Sequence, residues 1–189
     1  MYPNPQDVLP LPPRPDLEQY RTRAKELVKA HRDGPDATTA WAKRFVQRLL
    51  ELLTAGGDAA TPRDVDHAAQ QLAAYATERL TQGEGALSQA QFVLARAHGF
   101  ASWPSFVEHL AGLSRARSSV SSFELAVDAI VRGDHALLEQ LLAADPSLVR
   151  ARSTRAHQAT LLHYVSANGV ENYRQRTPAN IVDVARHLL

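Results

Sequence analysis

The chain of 189 residues contains no cysteine, a single methionine and no long apolar run. Without cysteine it has neither a disulfide framework nor thiolate chemistry. Its N-terminus does not resemble a signal peptide, and no stretch has the length and apolar character of a transmembrane helix. We therefore expect a cytoplasmic protein that has no membrane partner.

The chain also has almost no net charge, because 21 Lys and Arg residues are balanced by 20 Asp and Glu residues, which gives a formal charge of +1. A chain so close to neutral has no overall field to attract nucleic acid or an anionic membrane. Nucleic-acid binding, which would show a steep salt dependence, is thus disfavoured. Partners must be recognised by local surfaces.

Motifs for cofactors, metals and catalysis are also missing. The glycines fall at expected helix ends rather than after strands, so there is neither a P-loop nor a dinucleotide-binding pattern. No two of the eight histidines have the H-x3-H spacing that places two imidazoles on one helix face. No histidine belongs to a recognisable catalytic motif. We expect a protein that is not an enzyme and has no cofactor or metal.

The sequence does contain helical periodicity among its hydrophobic residues, which make up 44% of the chain. Convincing strand-like alternation is absent, so we predict an all-α fold. Six of the 11 prolines lie within residues 3–15. Residues 1–15 are therefore predicted to be an extended, polyproline-like arm that docks on the body or on a partner.

Residues 16–113 are predicted to form a module of about five helices. Asp16 can cap the first helix, which ends at Gly34-Pro35. A second helix is expected to stop at Gly56-Gly57, and a third to start at Thr61-Pro62, where a cap precedes a proline.

Two further boundaries follow from caps near the end of this module. Ser88 is predicted to cap the fourth helix, and Gly99 to end it in a Schellman motif. The polar residues 114–122 are predicted to be a linker between domains. Ser121 and Glu124 have the spacing of a capping box for the next helix.

The stretch TLLHYVSANG resembles the T-P-L-H-x-A-A-x-x-G signature of ankyrin repeats. Thr160 and Leu162 occupy the Thr and Leu positions of that signature. His163 and Gly169 occupy its His and Gly positions, whereas Leu161 replaces its proline. In such repeats, this Thr and His brace the loop between helices, so the resemblance implies a structural role for both.

A second, more degenerate copy, FELAVDAIVRG, ends at Gly133, which precedes Gly169 by 36 residues, about one repeat. The resemblance covers residues 123–189. It implies an α-solenoid of two helix-turn-helix repeats, the second with an insertion at about 170–178.

Two N-terminal segments, PLPPRPDLEQYRTRAKELVKAHR and AQFVLARAHGFASWPSFVEHL, resemble bacterial proteins that carry a helical module ahead of ankyrin repeats. The resemblance implies a protein that binds protein partners by rigid display of side chains. The last repeat lacks a polar cap. We expect either a fragment truncated at the C-terminus or self-association through an exposed Leu188-Leu189 end.

Partner contacts are expected in the second repeat, where five arginines and one acidic residue lie between positions 150 and 176. This local excess fits an acidic partner surface or a phosphate, although a solvated basic loop is an equal alternative. Two tyrosines are candidate aromatic contacts. The candidate partner-binding residues are Arg150, Arg152, Arg155, His157, Tyr164, Tyr173, Arg174 and Arg176.

One alternative class of function stays open. An enzyme or small-ligand-binding protein would use a crevice between the helical module and the first repeat, with Trp41 or Trp103 near its wall. No catalytic residue is visible to support it.

Overall fold

A computed structural model describes residues 2–54, 62–83, 85–166 and 169–189 of the chain. Within these ranges it contains α-helices and short 3₁₀-helices but no β-strand, which confirms the all-α prediction. The α-helices are α1 (Leu17–Asp33), α2 (Pro35–Thr54), α3 (Pro62–Gln82), α4 (Ala86–Ala97), α5 (Trp103–Ser114), α6 (Ser119–Arg132), α7 (His135–Ala144) and α8 (Ile181–His187). The 3₁₀-helices are Pro5–Asp7, Pro146–Arg150, Leu161–Val165 and Asn172–Arg174.

The first helix pair follows the predicted boundaries. Asp16 caps α1 by accepting a hydrogen bond of 2.8 Å from the Glu18 amide. Gly34, at φ +113°, turns the chain, and Pro35 begins α2 at once. The predicted stop at Gly56-Gly57 and the predicted cap at Thr61 lie outside the described residues.

One predicted cap in the module is confirmed and another is wrong. Gly99 ends α4 at φ +82°, and the Phe100 amide donates to the Ala95 carbonyl at 2.9 Å, as a Schellman motif requires. Ser88, however, lies inside the first turn of α4. The N-cap is Gly85. The Ser88 hydroxyl donates a hydrogen bond of 2.7 Å to the Gly85 carbonyl and so does not cap a backbone amide.

The segment between α5 and α6 is shorter than the predicted linker of residues 114–122, because α5 ends at Ser114 and α6 begins at Ser119. Ser118 caps α6 by accepting a 3.0 Å hydrogen bond from the Ser121 amide. The predicted capping box of Ser121 and Glu124 is therefore wrong. Ser121 lies in the first turn of the helix, and the Glu124 carboxylate pairs with buried arginines.

Apolar side chains form two separate clusters. The larger combines the N-terminal arm with α1 to α5 and includes Leu27, Leu72, Leu94 and Phe106. The smaller combines α6, α7, α8 and the 3₁₀-helices Pro146–Arg150 and Leu161–Val165. The larger cluster thus draws its buried residues from positions 9–110, and the smaller from positions 123–188.

The N-terminal arm docks on the module. It is extended apart from the 3₁₀ turn Pro5–Asp7. The Leu9 amide donates to the Ala97 carbonyl at 2.8 Å, and the Leu9 carbonyl lies 3.0 Å from Nδ1 of the buried His98. This segment of the arm is thus committed to the body of the protein.

The C-terminal region contains one pair of consecutive helices, α6 and α7. Gly133, at φ +70°, joins α6 to α7, and the Asp134 amide donates to the Ala129 carbonyl at 2.8 Å. A Cβ at Gly133 would meet the Pro178 Cβ at 2.8 Å, so the close approach of this segment also requires glycine.

The second predicted repeat departs from that pattern. In place of the expected inner α-helix, residues Leu161–Val165 form a single 3₁₀ segment. The segment ends at Ser166, where the backbone is extended. The predicted exposed Leu188-Leu189 end is also half wrong. Leu188 is buried with Val184 in the smaller cluster, and only Leu189 is exposed.

The described helices include none that combines the length and the apolar character of a membrane span.

Two histidines are buried where the module meets its neighbouring segments. Burial lowers the pKa of His98 to about 3, although its hydrogen bond to the Leu9 carbonyl opposes the shift. Burial, together with the nearby Arg155 charge, lowers the pKa of His109 to about 4. Both side chains are therefore neutral in the folded protein at pH values where an unfolded chain protonates them.

We predict that mild acid destabilises the protein through these histidines. Below pH 6.5 the unfolded chain binds protons that the folded chain does not, so stability present at neutral pH is lost as the pH falls. Two such groups should lower the free energy of unfolding by about 2 kcal/mol between pH 6.5 and 5.5. Urea unfolding at both pH values measures this change. The His109→Gln variant should show about half of it, and equal stability of the wild type at both pH values would contradict the prediction.

Candidate functional site

The loop at residues 151–159, part of the arginine-rich stretch in which partner contacts were expected, folds back against the helical module. An isolated β-bridge between Arg152 and Thr160 closes it. The Ala156 amide then donates to the Gly99 carbonyl at 2.7 Å, and Thr154 Oγ1 lies 2.7 Å from Nδ1 of His109. The module and the loop are thus in direct contact.

Arg155 is the buried centre of this contact. Its side chain is 1% exposed, and its Nη1 lies 2.8 Å from Glu171 Oε1 and 3.0 Å from Glu124 Oε1. The guanidinium carbon also lies 5.6 Å from the centre of the Phe100 ring, within the range of a cation–π contact. The prediction that Arg155 contacts a partner is therefore wrong, because its side chain is buried and paired with the carboxylates of Glu124 and Glu171.

Arg174 completes a four-residue ion cluster, which consists of Glu124, Arg155, Glu171 and Arg174. Its Nη2 lies 2.7 Å from Glu124 Oε2, and its Nη1 lies 3.4 Å from Glu171 Oε2. Asp128 at the rim adds a further contact of 3.2 Å to Nη2. Two cations and two anions balance within the cluster, so Arg174 too belongs to the interior and not to a partner-binding surface.

Electrostatics within the ion cluster keep its acids ionised. Burial alone would raise the pKa of Glu171, but Arg155 and Arg174 hold it well below its usual value. The pKa of Glu124 is lowered in the same way, with Arg174 and Arg155 outweighing the effect of burial. A proton donor or acceptor for catalysis would need a pKa near the working pH, which neither carboxyl has.

Three more of the predicted contact residues lie around the ion cluster. Tyr173 donates a hydrogen bond of 3.1 Å to Glu171 Oε1. His157 Nε2 lies 3.9 Å from the same oxygen, with its side chain 4% exposed. Tyr164 is buried in edge contact with Phe123, with ring centres 6.5 Å apart. His157 and Tyr164 are thus interior side chains, and the half-buried Tyr173 is directed at the ion cluster.

Only the remaining three predicted contact residues are exposed, namely Arg150, Arg152 and Arg176. Arg152 Nη1 donates to the Gln158 carbonyl at 3.1 Å and so also braces its own loop. Of the five arginines from which a basic surface was predicted, three are therefore exposed.

The residues of the repeat motif have local structural roles. His163 Nδ1 lies 2.8 Å from Thr160 Oγ1 and accepts a hydrogen bond of 3.2 Å from the Thr160 amide. These bonds brace the start of the 3₁₀ segment, as the resemblance implied. Leu162 is half exposed, and Gly169 adopts φ +77° with open space around it.

A groove of about 700 Å³ lies between α1 and α2. Its floor is aromatic, because the Trp41 and Phe45 rings stack with centres 5.2 Å apart and an angle of 8° between their planes. Both side chains are buried against the module, which fixes them in place. The residues of the floor are Tyr20, Ala30, Trp41, Phe45 and Leu49.

The rim of the α1/α2 groove is charged. Arg23 and Glu26 pair with each other at 2.7 Å. Three further cations on the rim are exposed and have no ion-pair partner in the part of the chain that the structure describes, and they face a single remaining acid, Asp33. These cations are Lys29, Arg44 and Arg48.

Sequence reasoning missed the α1/α2 groove, although two signals were present. Trp41 and Phe45 are four residues apart and therefore share a helix face, and Arg44 and Arg48 repeat the same spacing on the neighbouring face. Gly34-Pro35 was recognised as a helix stop, but it also forces α2 to turn directly back along α1. Two amphipathic helices in such a hairpin can leave a groove between them.

No protein-family model, curated protein or solved structure matches the chain. The α1/α2 groove and the ion cluster are therefore interpreted from their geometry.

We predict that Arg155→Met strongly destabilises the fold. It leaves Glu124 and Glu171 buried with Arg174 as the one remaining cation of the ion cluster, and breaking such a buried pair costs about 3–5 kcal/mol. The free energy of unfolding in urea measures the loss. Arg150→Met, at an exposed arginine directly before the same loop, should change it by less than about 0.5 kcal/mol. Similar small effects for both variants would contradict the assignment.

Proposed function

We propose that the protein is a non-enzymatic binding module that holds an apolar and acidic segment of a partner protein in the α1/α2 groove. The observation that supports this most strongly is the fixed Trp41–Phe45 stack beneath a rim whose cations Lys29, Arg44 and Arg48 have no ion-pair partner among the described residues. Aromatic anchors and arginines are the residue types that dominate the energy of protein interfaces. An acidic partner is the class that the sequence also favoured, but the surface now proposed for it is different.

The length of the α1/α2 groove suits a helical segment. From Gln19 to Asp33 the α1 wall spans about 20 Å at 1.5 Å per residue, the length of about four helical turns. An amphipathic helix lays its apolar face in such a groove and is read by residues at i, i+3, i+4 and i+7. Acidic residues flanking that face would meet Arg44, Arg48 and Lys29.

Preorganisation supports the same proposal. The groove walls are joined by the Gly34 turn, and its floor is part of the larger apolar cluster. Little side-chain freedom is then lost on binding at the floor, which favours affinity. The ankyrin-like solenoid, the cytoplasmic location and the bacterial origin inferred from sequence remain part of this proposal. The helix pair α6 and α7, joined at Gly133, supports the solenoid.

We predict that the double variant Arg44→Glu/Arg48→Glu loses its partner. Proteins bound to the immobilised wild-type chain in extract of the source cells should be depleted at least about 10-fold on this variant, because like charges then meet across the interface. A purified partner should show the same change in Kd. The matched control is Arg150→Glu/Arg152→Glu, which makes an equal charge change at two exposed arginines outside the groove and should retain the partner.

The opposite pattern would move the binding surface to Arg150 and Arg152, and retention by both variants would contradict a role for either surface. Thermal melts of both variants should stay within about 3 °C of the wild type, as expected for exposed positions.

A small anionic ligand is a second candidate, because about 700 Å³ lies within the usual size range of ligand sites. The Trp103→Phe variant leaves Trp41 as the single tryptophan and reports on the groove alone. A change of its fluorescence with small anions, together with no protein partner, would favour this candidate over the binding module.

A further inference from the structure

Two histidines from different helices meet at the C-terminal end of the fold. His135 is the first residue of α7, and His187 is the last residue of α8. His135 Nε2 lies 3.0 Å from His187 Nδ1, and the rings are nearly perpendicular at 82°. Glu139 follows His135 by one helical turn, so its carboxylate points to the same side of α7.

The donor atoms of these three residues have the spacing of metal ligands. All three lie within 4.8 Å of one another. Ligand atoms about 2.0–2.1 Å from a tetrahedral zinc ion are about 3.3 Å apart, close to the observed distance between the two nitrogens. Glu139 and His187 are exposed, so a modest rotamer change can bring the carboxylate to the same distance.

Neighbouring charged groups are already engaged. The Asp134 carboxylate accepts a hydrogen bond of 3.1 Å from the Leu137 amide and caps α7. Asp183 and Arg186 on α8 pair with each other at 2.9 Å. The two imidazoles and the Glu139 carboxylate therefore form a donor set without a competing cation in direct contact among the described residues.

We propose that His135, Glu139 and His187 bind a divalent transition-metal ion of the zinc class. Two histidines and one glutamate are a set that zinc accepts as three protein ligands, with water in the fourth position. The ion would join α7 to α8 across 52 residues of sequence. Since α8 has only seven residues, the metal would hold this short helix against the fold. This inference does not depend on the proposed function of the groove.

The experiment uses the full chain without an affinity tag, stripped with chelator and titrated with zinc chloride in a calorimeter. We expect one zinc ion per chain and a higher melting temperature with zinc, because a ligand that binds only the folded state stabilises it. Cobalt(II) in place of zinc should give the visible absorption bands of a tetrahedral site.

Three variants and a control test the assigned ligands. His135→Ala and His187→Ala should each weaken zinc binding by more than about 100-fold, since even outer-shell changes cost 10–100-fold. Glu139→Gln keeps the size of the side chain and both histidines, and should weaken binding while leaving the metal-free melting temperature unchanged. His67→Ala, at an exposed histidine of α3, should bind zinc as the wild type does.

Absence of a zinc-dependent melting shift in the wild type would overturn the proposal. So would zinc binding of equal strength in His187→Ala and the wild type, because the ion would then lie elsewhere. If His187→Ala fails to fold, Glu139→Gln decides, and unaltered binding by that variant would overturn the assigned ligand set.

Discussion

The buried contact of Arg155 with Glu171 and Glu124 is the interaction on which the arrangement of this protein depends. These side chains come from the loop after α7, the segment before α8 and the middle of α6. Beside them, the Glu171 amide donates to the Pro5 carbonyl at 2.8 Å, and the Arg155 guanidinium covers Phe100. The ion cluster thus joins the arm, the helical module and the C-terminal region. Buried charges stabilise a fold only when their partners are all in place, so each of these segments requires the others.

Local features of the fold were predictable because their causes are local. Asp16, Gly34, Gly99 and Gly133 set helix ends through hydrogen bonds within a few residues, and sequence spacing reveals such bonds. The bond between Thr160 and His163 followed from the resemblance for the same reason. The two wrong caps, Ser88 and Ser121, each lie three residues after the true N-cap. A second residue that can begin a helix precedes each of them, namely Gly85 before Ser88 and Ser118 before Ser121.

The ion cluster was not predictable from local charge. Five arginines with one acidic residue suggested an exposed basic surface, yet Arg155 pairs with Glu124, which lies 31 positions earlier in the chain. A charge window cannot include such a partner. The cluster of His135, Glu139 and His187 was missed in the same way, because a search for two histidines on one helix ignores ligands from two helices. The α1/α2 groove likewise depends on how two helices pack, which periodicity along either one does not determine.

The charged side chains of the two regions therefore have different roles. The charges of the ion cluster hold the C-terminal region to the rest of the fold. Lys29, Arg44 and Arg48, which have no ion-pair partner among the described residues, lie on the rim of the α1/α2 groove. Whether the ion cluster acts as one unit is measured most directly by a double-mutant cycle on Arg155→Met and Glu171→Gln, with the free energy of unfolding in urea as the readout. The account predicts a coupling energy above about 1 kcal/mol, because the two groups contact each other in the interior. Effects that add to within about 0.5 kcal/mol would contradict it.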